Sequence, residues 1–188
     1  MDFGKLFSSS WDTFISQIVN VIVFTVVAAL LSLTIVLIPS VAVGYTKGFL
    51  ALVRDGKKPE LSELWSNFDK YLDTLLLLIV GGLLVSIGFC LLVIPGIILM
   101  TWWMYAIFLL VDKDLGFWEA METSRKIVVQ TGFINNLAVL LISCILNSIG
   151  GSAAGLGVLL TGPFSMILLT YAYIENSAAL KQEEPTVH

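Results

Sequence analysis

The hydroxyl, thiol and carboxylate groups of this sequence are not spaced for catalysis. A serine or cysteine nucleophile needs a neighbouring base, and the only histidine, His188, is the last of the 188 residues. The two cysteines, Cys90 and Cys144, lie inside apolar runs and read as small, polarizable packing residues. A metal site needs clustered His, Cys, Asp or Glu, whereas the carboxylates here are spread through polar loops. The sequence therefore predicts no catalytic residue, no metal site and no cofactor, and the expectation is that the chain is not an enzyme.

What remains is uncharged polarity within apolar runs. Ser143, Asn147 and Gly151 recur every four residues, which places them on one face of a helix. Thr161, Gly162 and Pro163 interrupt the last apolar run, where a Gly-Pro pair frees backbone carbonyls and kinks a helix. In transporters such breaks mark substrate sites. The competing reading is a packing kink with interhelical hydrogen bonds, each worth about 1 kcal/mol. Lys47 can snorkel to the cytosolic interface, and Asp73 and Glu175 fall at helix ends, so no buried acidic or histidine relay is evident for proton-coupled transport. Gly44 with Gly48, and Gly151 with Gly155, have the GxxxG spacing that lets helix backbones approach, and Gly81-Gly82 thins a third run. These contacts serve internal packing or a homo-oligomer equally well.

The elements carrying these residues are membrane helices. Hydrophobic residues make up 57% of the chain and charged ones 13%, with a mean hydropathy of +0.94. A soluble domain is about 25% charged, so this chain lacks the polar residues to cover a surface facing water. A spanning helix takes about 20 apolar residues. Five runs qualify: 14–38, 71–94, 97–111, 133–149 and 156–174. A shorter sixth, 41–53, follows Pro39 and covers only about 20 Å at 1.5 Å per residue. The first run is too long for a signal h-region, and MDFGKLFSSSW lacks a strongly basic n-region, so it reads as a retained helix.

Two kinds of punctuation separate the runs. Ile38-Pro39-Ser40, Ile94-Pro95-Gly96 and the stretch 150–155 are tight and uncharged, whereas 54–70 and 112–130 are long and charged. Lys and Arg gather on the cytoplasmic side of membranes. This places the charged loops and both termini inside and the tight turns outside. The expected fold is an all-α integral membrane protein, one domain over 1–188, with about six transmembrane helices in three hairpins. The units run over 1–54, 55–112 and 113–178, and 179–188 is a tail.

Trp11, Trp65 and Trp118 stand 54 and 53 residues apart, and Pro39, Pro95 and Gly151 are each 56 apart, a spacing that suggests a three-fold internal repeat. Each Trp sits in an amphipathic stretch before a hairpin and reads as an interfacial anchor. Leu61, Leu64, Trp65 and Phe68 share a helical face, with Ser62 a candidate N-cap and an earlier start at Pro59 and Glu60 the alternative. Trp118, Met121 and Ile127 lie opposite Glu119, Glu122, Arg125 and Lys126 in a second such helix, a cytosolic surface on which a protein partner could dock. A net charge of −4 without runs of like charge argues against nucleic acid and against a polybasic head-group patch.

Two stretches, GYTKGFLALVRDGKKPELSELWSNF over 44–68 and LLVIPGIILMTWWMYAIFLLVDKDLGFWEAMETSRKIV over 91–128, together with Gly155, Gly157, Thr161 and Pro163, carry a family likeness. From Gly44 onward the chain resembles an uncharacterised group of bacterial membrane proteins, related to the membrane domain attached to some glycerophosphodiester phosphodiesterases. The resemblance implies a six-helix protein of the bacterial cytoplasmic membrane that acts as an anchor or lipid-presenting module. It brings no phosphodiesterase activity, because the catalytic domain has no counterpart here. Three functional readings follow: a non-enzymatic module binding membrane lipids or a protein partner, a small transporter or channel with a path between the hairpins, and a structural homo-oligomer.

Overall fold

The computed structural model describes residues 2–65, 68–152 and 157–183, with the side chains of residues 35 and 179–183 excepted. The described residues form nine α-helices and no strand. These are α1 (Phe3–Ser16), α2 (Ile18–Ser32), α3 (Ile38–Asp55), α4 (Tyr71–Leu91), α5 (Val93–Trp103), α6 (Ala106–Asp112), α7 (Phe117–Gln130), α8 (Phe133–Ser152) and α9 (Val158–Glu183). Two short 3-10 turns, Ile35–Leu37 and Leu61–Leu64, complete the order.

Four segments are long and apolar enough to cross a membrane: Tyr71–Leu91, Val93–Asp112, Phe133–Ser152 and Val158–Ala178. Helices α1 and α2, bent by 85° at their junction, make a fifth if counted as one broken span. Large apolar side chains such as Leu33, Ile79, Leu83, Leu91, Ile134, Ile145 and Ile149 are exposed on the outside of the bundle. So broad an apolar exterior belongs in lipid. Lipid tails give apolar helices no hydrophobic reason to associate, so cohesion rests on close packing and interhelical hydrogen bonds.

Helix α3 departs most from expectation. The sequence suggested a short piece over 41–53, yet α3 runs 18 residues, about 27 Å. Pro39 falls in its first turn, where a missing N–H costs nothing, so it starts the helix rather than ending the one before. Gly56, at φ 65°, closes the other end by donating its N–H to the Leu52 carbonyl. Helix α3 carries Lys47, Arg54 and Asp55, yet it is enclosed by α2, α4, α6, α9 and the 61–64 turn. An enclosed helix need not be apolar all round, because its neighbours rather than lipid receive its polar groups.

Where the sequence suggests an amphipathic helix through Leu61, Leu64, Trp65 and Phe68, a 3-10 turn forms over Leu61–Leu64. Leu64 is buried, whereas Leu61, Trp65 and Phe68 are exposed. The turn is held by backbone approach rather than by a helical apolar face. A Cβ on Gly44 would lie 2.0 Å from the Glu63 carbonyl oxygen, so only glycine admits this segment. Ser62 is not the N-cap; Glu60 occupies that position. The second amphipathic stretch does form α7, with Ala120, Met121, Ser124, Ile127 and Val128 inward and Glu119, Glu122, Arg125 and Lys126 outward. Trp118 lies off the buried face.

Two apolar cores meet at α9. One gathers Val21, Phe24, Phe49, Leu64 and Ile167; the other gathers Tyr105, Phe108, Leu110, Ile127 and Leu168. Helix α1 lies across α9, where the Phe7, Trp11 and Phe14 rings meet the Phe164 ring edge-on at 5.4, 6.0 and 5.8 Å. The cysteines are exposed on the exterior rather than packed inside, which corrects the packing role expected of them.

Candidate functional site

The polar residues singled out in the sequence converge on the contact between α8 and α9. The Asn147 amide donates to the Ser143 carbonyl at 2.9 Å and to the Ser165 hydroxyl at 3.1 Å. Thr161 donates to the Asn147 amide oxygen at 3.4 Å and lies 3.2 Å from the Gly157 carbonyl. Gly162 and Pro163 do not break the helix. Pro163 lies inside a continuous α9, where its ring removes one intrahelical N–H donor without ending the helix. The side chains expected to line a path are thus consumed in joining two helices, with the hydroxyl of Ser143 buried and without a hydrogen bond. Close approach here is made by Gly150 with Gly157, not Gly151. A Cβ on Gly150 would lie 2.1 Å from the Thr161 hydroxyl, whereas one on Gly151 would make only an ordinary contact with Val158. Gly155 lies outside the described residues.

Gly44 and Gly48 are likewise used within the chain. Gly44 faces the backbone at Glu63, and a Cβ on Gly48 would lie 2.7 Å from the Phe24 ring. That face is filled and is not open to a second copy.

Polar clusters that the sequence reading missed lie where helices distant in the sequence meet. The buried Tyr105 hydroxyl donates to Asn136 Oδ1 at 2.7 Å, and Asn176 Nδ2 lies 3.1 Å from the Tyr105 hydroxyl and 2.9 Å from Asn136 Oδ1. Asn136 in turn donates to Thr131 and to the Gly132 carbonyl. At the break between α5 and α6, Ser124 donates to the Trp102 carbonyl at 2.7 Å and accepts the Tyr105 N–H at 3.2 Å. One hydroxyl therefore serves both backbone groups that the break releases. Nearer the charged loops, Arg54 binds the Asp112 carboxylate with both terminal nitrogens, one at 2.9 Å, and the Tyr173 hydroxyl donates to Asp112 at 2.7 Å. Lys70 pairs with Asp114, tying the two charged loops together. Each residue was visible as a polar group within or beside an apolar run. Apart from the local contacts of Asn136 with Thr131 and Gly132, their partners are 19 to 71 residues away, at no periodic spacing.

Two concavities open on the outside of the bundle. A groove of about 240 Å³ between α5 and α7 is lined by Leu99, Trp102, Trp103, Trp118, Met121, Glu122 and Arg125. A trough of about 410 Å³ lies between α4 and α8, with α5, α6 and α9 contributing to its walls. Its lining is almost wholly apolar, and it includes Leu77, Gly81, Gly82, Val85, Met104 and Leu140. Trp103 lines both. A Cβ on Gly81 or Gly82 would meet nothing within 4 Å, so their missing side chains widen the trough rather than admit a neighbouring helix. Among the anchors expected, Trp118 borders the groove, while Trp11 and Trp65 stand half-exposed elsewhere. Among the described residues no group of three or more His, Cys, Asp or Glu is placed to hold a metal.

No protein-family model, no curated protein and no solved structure matches this chain.

Proposed function

We propose that this protein is a non-enzymatic, multi-pass membrane module that binds lipid. The observation carrying this reading is the apolar trough between α4 and α8. Its volume of about 410 Å³ lies within the ~300–1,000 Å³ range of ligand pockets, and its lining suits a hydrocarbon chain. From Leu77 to Val85 it follows α4 for about 12 Å, most of one ~15 Å leaflet.

The topology that goes with this reading has six crossings, with α2 and α3 forming the first hairpin and both termini cytoplasmic. Its support is the gathering of Arg54, Lys70, Asp112 and Asp114 in linked ion pairs at one end of the bundle. The element order also places a short piece, α1, the 61–64 turn or α7, ahead of the outgoing helices α2, α4 and α8. A bacterial cytoplasmic membrane follows from the family resemblance. The transporter reading is not carried forward, because Asn147, Thr161 and Ser165 bond to one another across α8 and α9.

The test is native mass spectrometry of the full chain released from its own membrane with little delipidation. The expected result is a stoichiometric lipid adduct that Gly82→Leu diminishes. A lipid-free protein under conditions that preserve its fold, or adducts that Gly82→Leu leaves unchanged, overturns the assignment to this trough.

A further inference from the structure

The groove between α5 and α7 differs from the trough in carrying charge. Arg125 reaches over the Trp102 ring, its guanidinium carbon 5.9 Å from the ring centroid. Among the described residues it makes no ion pair or hydrogen bond, whereas the neighbouring Glu122 is compensated by Lys126 at 3.2 Å. A guanidinium stacked on an aromatic face keeps its in-plane N–H donors available, in the fork that matches two phosphate oxygens. Trp102, Trp103 and Trp118 surround it with the amphipathic rings that favour the head-group layer.

The position fits that layer. Helix α7 begins beside the charged loops, with the Phe117 N–H directed to the Asp73 carboxylate at 3.4 Å, and its outer face is polar. The trough starts one turn beyond Asp73 at Leu77 and leads away from the charged end. An amphiphile whose anionic head lies at Arg125 can therefore pass Trp103 and lay a chain against Gly81 and Gly82.

We propose that this groove seats the phosphate of a phospholipid, held by Arg125, with one acyl chain occupying the adjoining trough. The proposal rests on the lipid-binding reading above and names the ligand class and the residue that selects it.

The full chain in detergent is offered phosphatidylglycerol, a diacylglycerol of the same acyl chains, and inorganic phosphate, and each adduct is quantified by native mass spectrometry. The wild type should retain phosphatidylglycerol at least about tenfold better than diacylglycerol, as a charge-assisted bidentate contact predicts. Arg125→Gln should abolish that preference while leaving diacylglycerol retention unchanged; the residue is exposed, so the fold is not at stake. Gly82→Leu should weaken both lipids alike. If the wild type retains both lipids equally, or Arg125→Gln keeps the preference, the phosphate seat is refuted while lipid binding stands. If neither lipid is retained, the functional reading itself fails and the inference with it. Inorganic phosphate held as well as phosphatidylglycerol would make the groove a small-anion site and refute the lipid.

Discussion

Replacing Asp112 by Asn should destabilise the bundle by about 2–4 kcal/mol, and the structure shows why. Asp112 ends α6 with a side chain only 8% exposed, at a helix C-terminus where a negative charge is disfavoured. It is retained there by a two-nitrogen contact from Arg54 on α3 and by the Tyr173 hydroxyl on α9. One carboxylate thus joins α3, α6 and α9. Removing one partner of a buried ion pair costs about 3–5 kcal/mol. Arg54 is 37% exposed and can recover water, which lowers that figure. The Tyr173 hydroxyl exchanges a charged acceptor for a neutral one, a further loss of about 1 kcal/mol. The amide nitrogen of Asn also faces guanidinium donors, so the substitution gains nothing in return. The assay is reversible unfolding in mixed micelles, followed by tryptophan fluorescence, as a double-mutant cycle with Arg54→Leu. A coupling of about 1–3 kcal/mol between the two sites is expected. Additive single mutants, or an Asp112→Asn protein within about 0.5 kcal/mol of wild type, would refute the view that this cluster holds α3, α6 and α9 together.

Four further outcomes are expected. Gly44→Val should cost at least about 3 kcal/mol by driving the 61–64 turn off α3. Gly81→Ala, into open space, should be neutral or stabilise by up to about 1 kcal/mol; thermal melts of both variants compare the two sites directly. Asn176→Leu should cost about 1–3 kcal/mol, because the Asn136 carbonyl and the Tyr105 hydroxyl lose a shared buried partner, and the same unfolding titration would show it. Glu63 supplies a pH test. Burial, aided by Glu60, raises its pKa above the ordinary 4.5, while Lys47 pulls it down. The folded state therefore holds this proton to higher pH than the unfolded chain does, so stability falls as pH rises from about 4.5 through the folded value. Glu63→Gln should flatten that part of a melting profile measured between acid and neutral pH.

The sequence alone determined the class of this protein and the position of most of its helices. The apolar runs of 71–94, 133–149 and 156–174 appear as α4, α8 and α9, because about 20 apolar residues in lipid must satisfy their backbone internally. Its polar face at Ser143 and Asn147 was also legible, since four-residue spacing depends only on helix geometry. The use of that face was not, because Thr161 and Ser165 reach it from another helix. Only the tertiary structure decided that α3 is central, since composition cannot tell a polar-bearing helix enclosed by neighbours from one too short to span. It alone made Leu61–Leu64 a 3-10 turn, because the Gly44 approach outweighed a helical pattern. It alone joined Arg54 to Asp112 and Tyr105 to Asn176, contacts set by how helices dock rather than by any spacing along the chain. Gly81 and Gly82 belong to both levels. Like Gly150 and Gly157 they are glycines in or beside apolar runs, and only the presence or absence of a neighbouring backbone separates a packing contact from the wall of a trough.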